Sequence, residues 1–311
     1  MRSTDLRLTR LVLGIVAAAG LAAALVASAG ASTARSLPGK GKPAFVLGDK
    51  NFPEEYILGS LYQEALQAKG YTVTLKSNLG STEIAWQALK TGKIQGYPEY
   101  DGTLLATVAN ITKNPGSAAR AAAQTKTWLG KHGYLFTNIT PFSDSDAIAV
   151  LRSYASKHGL KAIGDLKKLG AAVKLGGAAE FATRYPDGLL GLHRIYKAFP
   201  TFTPLTIPSF YTALDNNQVQ AAAVFTTDPP LKSGKYTVLK DTKFIFGFQN
   251  VGMIVKKSVA TAEGPAFIAT INAVSRLLTQ KVIIALNAAV EVNKESPAKV
   301  AKAFLNANHL G

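Results

Sequence analysis

The sequence predicts an α/β protein built from two similar lobes, and two observations carry that prediction. The first is the stretch Leu79 to Thr103, LGSTEIAWQALKTGKIQGYPEYDGT, which reads as loop, helix, turn and strand. Gly80-Ser81-Thr82-Glu83 opens the helix: hydroxyl side chains can accept from its unpaired N–H groups, and Glu83 favours its positive end. Ile84, Ala85, Ala88 and Leu89 share one apolar face, Gly92 stops the helix, and Ile94 begins a strand leading to Tyr97-Pro98-Glu99-Tyr100-Asp101-Gly102-Thr103. The second is that this unit recurs. Ala88-Leu89 through Gly96 aligns with Ala213-Leu214 through Ala221 at an offset of 125 residues, which sets Tyr100 against Phe225. An upstream pair agrees, Leu47-Gly48 leading to Phe52 and Leu175-Gly176 to Phe181. Both strands then deliver an aromatic to the end of a sheet, where open α/β folds bind ligands.

In chain order, Arg2, Arg7 and Arg10 precede the apolar run Leu11 to Ala31, with small-residue cleavage motifs at Ala27-Ser28-Ala29 and Ala29-Gly30-Ala31. That is the pattern of a secretory signal peptide over residues 1–31, although the run is long enough to serve as an uncleaved anchor. Either form places the body outside the cytoplasm. Residues 32–43, rich in Gly and Pro, read as a linker. Ala44 to Gly48 is a buried strand, Asp49-Lys50-Asn51-Phe52 the loop after it, and Pro53 suits the first turn of a helix bearing Tyr56, Ile57, Leu61 and Leu66. Tyr71 to Leu75 alternates as a strand, and 104–133 is helical with an interruption at Asn114-Pro115-Gly116.

Phe142 to Ala147 reads as the first crossing between lobes. A strand at Ala172 to Leu175, a helix near Arg184 and the repeated unit follow, with Phe244 to Phe248 as the return crossing. Helices over about Pro265 to Thr279 and Val282 to Lys294 complete the first lobe. The division expected is lobe 1 at 44–145 and 249–311, and lobe 2 at 146–248.

Composition excludes several functions. With 47% hydrophobic and 17% charged residues the chain is globular. The absence of Cys removes disulfides, thiolate metal sites and thiol catalysis. His132, His158, His193 and His309 are dispersed, no metal-ligand spacing occurs, and there is no GxSxG or GxGxxG. An enzyme would have to rest on Glu99 with Asp101, or Asp144 with Asp146, pairs that are commoner as solvated turns. The reading is therefore no enzyme, no cofactor and no metal. A net charge of +16 invites nucleic acid, but the Lys residues are scattered rather than interleaved with aromatics, and export makes nucleic acid a poor partner. A basic surface that stays near an anionic envelope, in proximity to a membrane surface only, accounts for the charge.

The motifs KNFPEEYILGSLYQEAL, NLGSTEIAWQALKTGKIQGYPEYDGT and EFATRYPDGLLGLHRIY together resemble the osmoprotectant-binding proteins of ABC importers, those for glycine betaine, choline and related quaternary amines. The resemblance spans roughly 44–311. It implies a two-lobe periplasmic-binding-protein-like fold of type II, with two mixed sheets flanked by helices and a hinge of two crossing strands. The lobes would close on a small-molecule solute and present it to ABC transporter permease subunits. In that family an aromatic box holds the quaternary ammonium, while a Lys, a Thr and an Arg hold the carboxylate. Lys50, with its neighbour Asn51, matches KNF, Thr103 matches YPEYDGT, and Arg184 matches EFATRYPDG. Tyr100 matches one wall of the box, Phe225 stands where the family often has Tyr, and Asp144 matches a position that serves partly through backbone. Asp146 falls where betaine binders often place an aromatic, and Gln249 or Asn250, with Phe248 adjacent, replaces another expected Tyr.

Each desolvated cation–π contact is worth about 1–2 kcal/mol, so two missing faces weaken binding roughly 30- to 1,000-fold. A carboxylate at Asp146 offsets part of this by direct attraction to a cation, and repels the carboxylate of a small zwitterion. Two alternatives remain open at this stage: the same fold binding a polar or aromatic molecule other than a betaine, and an extracellular receptor or adhesion domain. Tyr97 points away from Tyr100 on an extended strand and reads as structural.

Overall fold

The computed structural model describes residues 36–311, so the signal-peptide reading and the first part of the linker lie outside the described residues. The strands run β1 (Phe45–Gly48), β2 (Val73–Lys76), β3 (Gly96–Tyr100), β4 (Tyr134–Phe136), β5 (Asp146–Leu151), β6 (Lys174–Gly177), β7 (Thr201–Pro204), β8 (Ala221–Phe225), β9 (Tyr236–Leu239) and β10 (Val251–Lys256). They form two five-stranded sheets, ordered β2-β1-β3-β10-β4 and β7-β6-β8-β5-β9.

The two orders are the same pattern. In each sheet three strands run parallel, and the fourth position is taken by an antiparallel strand arriving from the other lobe. β10 lies against β3 with Val251 opposite Tyr100, and β5 lies against β8 with Asp146 opposite Phe225. The internal repeat is thus a repeat of position: Tyr100 and Phe225 end the central strands of their sheets.

Both sheets are covered on both faces. Helix Pro53–Ala68 and the C-terminal helices Pro265–Leu277, Gln280–Glu291 and Pro297–Ala307 pack on the first sheet, joining Phe267, Ile271 and Leu305 to Phe45, Leu47 and Tyr62. The sequence reading had two helices there. The third is announced by Ser296, whose hydroxyl accepts from Lys299 N, and by Pro297 in the first turn. The opposite face carries Tyr97, Leu89, Leu129 and Phe136, so Tyr97 and Tyr100 do serve opposite sides of β3.

The chain crosses between the sheets through 137–145 and 240–250, in irregular conformation tied by a single bridge between Ser143 and Asn250. Asn250 explains why these segments stay together without a ladder. Its side-chain amide donates to the carbonyls of Thr140 and Phe142, and its backbone N–H donates to Asp101. The helix expected near Arg184 does not form. A 3₁₀ turn at Ala179–Ala182 gives way to loop, because Pro186 disfavours the helical region at Tyr185.

Candidate functional site

The site is built where the strand ends of the two sheets face each other. Asp49 fixes the first loop: its carboxylate accepts from Ser77 Oγ and Asn78 N, and burial pushes its pKa up to about 6. The next turn is held by Glu55, whose side chain accepts from Lys50 N at 3.1 Å. Pro53 then starts its helix, leaving Lys50, Asn51 and Phe52 facing the cleft.

A cavity of about 440 Å³ lies between the lobes, lined by Lys50, Asn51, Phe52, Ser81, Thr82, Tyr100, Thr103, Asp144, Asp146, Glu180, Arg184, Ile207 and Phe225. Eight of the ten residues expected to bind ligand therefore converge on one space between the lobes. The two that do not are Phe248 and Gln249, and the reason is the direction of Gln249. Its Oε1 accepts from Thr103 N (2.9 Å) and Thr103 Oγ1 (3.1 Å), while its Nε2 donates to Phe246 O. Gln249 supports a wall residue from behind, and Gly102 beside it has no room for a side chain against the Phe248 carbonyl.

The aromatic wall has a member the sequence reading did not include. Phe52 stacks on Phe225 across the lobes, with centroids 5.3 Å apart and planes at 20°, and lies 6.0 Å from Tyr100. Phe52 was visible in the motif KNF, but a loop aromatic carries no sign of which lobe it will meet. Tyr100 is fixed through its hydroxyl, which donates to Glu54 Oε1 at 2.7 Å.

Lys50 and Arg184 do share the cavity with Thr103, but each already has a carboxylate. Lys50 Nζ pairs with Glu99, lies 3.9 Å from Glu55 and donates to Thr82 Oγ1. Arg184 crosses the cleft to Glu83, 3.3 Å away. The acids opposite are in a different state. Burial raises Asp144 well above the usual carboxylate range, with Glu54 and Asp228 adding repulsion. Burial also lifts Asp146 to about 7; Arg184 opposes the shift, and Asp187 and Glu180 reinforce it. An ionised carboxylate here lacks enough positive charge nearby, so a cation entering the cavity would restore its ionised form.

Further contacts close the lobes. Glu54 Oε2 accepts from Thr227 Oγ1 (2.7 Å) and from Asn287 Nδ2 (2.8 Å), joining the first helix and a C-terminal helix to the loop after β8. A second space of about 400 Å³ lies beyond the Phe52–Phe225 stack, lined in part by Glu54, Asp144, Asp228 and Glu291.

Two mixed-sheet lobes meeting over a cleft lined by charged and aromatic side chains define a solute-binding protein of the type II periplasmic-binding-protein class. Residues 44–307 match the substrate binding domain of the ABC-type glycine betaine transport system, and the chain belongs to that family, whose members bind solutes rather than transform them. A glycine-betaine-binding protein of Pseudomonas aeruginosa is 31% identical over 276 residues, covering 85% of this chain and 88% of the relative. The carnitine transport binding protein OpuCC of Listeria monocytogenes serotype 1/2a is 25% identical over 288 residues, covering 88% and 91%. The solved structure of a glycine betaine/carnitine/choline ABC transporter shares the fold, with a TM-score of 0.67 at 24% identity over 86% of this chain and 99% of that one.

Proposed function

We propose that the cavity binds a quaternary or otherwise substituted ammonium compound, and that the chain delivers it to the permease of an ABC importer from an extracytoplasmic position. The observation that carries the reading is the aromatic wall Tyr100–Phe52–Phe225 in one cavity with the acids Asp144 and Asp146, which offers π faces and carboxyl groups together. Asn51, Thr103 and Arg184 complete the ligand contacts, Lys50 borders the same space against the Tyr100 ring, and Gln249 acts through Thr103. The lobes that close are 44–145 with 249–311, and 146–248, turning about the paired segments at Ser143 and Asn250. Ligand contacts from both sides stabilise the closed form, and the permease reads closure.

Relatives bind glycine betaine and carnitine by name, which supports an ammonium ligand; the acid at Asp146 favours a cation without a carboxylate over a small zwitterion. The test is calorimetry of the chain with choline, glycine betaine, carnitine and an isosteric uncharged alcohol. Binding of the ammonium compounds, with choline preferred, is expected. Preferential binding of the uncharged alcohol would overturn the reading.

A further inference from the structure

Lys50 carries a relationship that a carboxylate-gripping lysine does not need. Its ammonium lies 4.4 Å from the centroid of the Tyr100 ring and 5.6 Å from that of Phe52, in the corner between two rings 6.0 Å apart. These are cation–π distances, and this corner is the aromatic surface available to a ligand's ammonium in the first lobe. The side chain is buried, with Glu99 as its close counter-charge, Glu55 3.9 Å away and Thr82 as a further acceptor. Its backbone is clamped too, by Glu55. The lysine is therefore held onto the rings by its own neighbours, and its charge is already answered from inside the lobe.

We propose that Lys50 is a specificity-determining residue acting as a tethered cation: it occupies the aromatic corner of Tyr100 and Phe52, and a ligand's ammonium must displace it to bind. This rests on the cavity being the ligand site. A compact monocation competes with Lys50 for the same ring faces, whereas Glu99 and Glu55 remain in place to receive whichever cation is there. The threshold so set discriminates against weakly attracted cations. A lysine that grips a ligand carboxylate would instead lower glycine betaine affinity on removal, and its methylenes would stay on the rings when a cation without a carboxylate binds.

The experiment measures tetramethylammonium, choline and glycine betaine binding by calorimetry to the wild-type chain and to Lys50→Met, with circular dichroism and a melting curve confirming that the variant folds. The expected result is at least a tenfold gain for tetramethylammonium and choline in Lys50→Met. An unchanged or lower affinity, or a loss confined to glycine betaine, overturns the proposal. A second measurement needs no variant. The Lys50 ε-methylene resonances of the wild type should be shifted upfield by the rings and should return toward ordinary lysine values on saturation with tetramethylammonium. Unshifted resonances in the free protein, or shifted ones that stay put on saturation, also overturn it. The arms separate this proposal from the functional reading. Should the wild type bind none of the three while Lys50→Met binds tetramethylammonium, the tethered cation stands and the proposed transport ligand falls. Wild-type binding without a gain in the variant gives the reverse, and no binding to either protein removes both.

Discussion

Arg184 Nη2 lies 3.3 Å from Glu83 Oε2, joining a loop of the second lobe to the first turn of the helix Thr82–Lys90 in the first. Glu83 feels this charge: partial burial pushes its pKa up, but Arg184 and the Ser81 hydroxyl more than offset that and leave it lowered. The pair is a closure contact and also a restraint, because it engages the cavity's second cation before any ligand arrives. Glu83→Gln should release Arg184 toward the cavity. A pair as exposed as this one is worth about 0.2–1 kcal/mol, so glycine betaine affinity should rise up to about fivefold relative to choline. Calorimetry with both ligands checks it, and an equal change for both would show that Arg184 does not face the ligand's anionic end.

The Phe52–Phe225 stack joins the lobes through aromatic surface alone. Phe225→Ala removes the stack, worth about 0.5–1.5 kcal/mol, and one cation–π face of about 1–2 kcal/mol. Choline affinity should fall about 10- to 300-fold, and Phe225→Tyr should keep most of it. Phe52→Ala should fall in the same direction. Equal binding by Phe52→Ala and wild type would remove Phe52 from the wall.

Asp146 makes both stability and binding depend on pH, with opposite signs. Its pKa is about 7 in the folded chain against 3.8 for an unperturbed Asp, so between those values the folded form holds a proton that the unfolded form has released. This group's contribution to stability is therefore best below about pH 4, declines as pH rises toward 7, and is flat above. Asp101 and Glu291, both raised to about 8 chiefly by burial, act in the same direction. The melting temperature of the ligand-free chain should thus rise as pH falls from 8 to 6. A cationic ligand prefers ionised Asp146, so choline affinity should rise from pH 5 to pH 8, and proton release should accompany binding below pH 7. Asp146→Asn should weaken choline and flatten that profile; a profile unchanged in the variant would assign the dependence to another group.

Gln249 is predicted to matter for stability more than for contact. Gln249→Leu strands Thr103 N and Oγ1, a buried pair whose acceptor it supplies, at a cost of about 1–3 kcal/mol. The urea midpoint should drop accordingly. Gln249→Glu retains an acceptor and should lose less. A Leu variant of full stability would mean that water or another acceptor replaces the amide.

What the sequence determined by itself is local in origin. The helix opening at Ser81-Thr82, the stop at Gly92 and the strand to Tyr100 follow from backbone preferences and apolar spacing. Their recurrence 125 residues later placed Tyr100 and Phe225 at matching strand ends. The helix Pro297–Ala307 carries an equally local signal in its Ser-Pro start. The tertiary structure decided which charges meet. Glu99 lies 49 residues from Lys50 and Glu83 lies 101 from Arg184, and no periodicity connects them. It also turned Gln249 away from the cavity and brought Phe52 onto Phe225. These are contacts between side chains whose directions are set only once two lobes pack face to face. Short-range preference fixes which residues reach the strand ends, but the cleft's charge balance is a property of the closed arrangement.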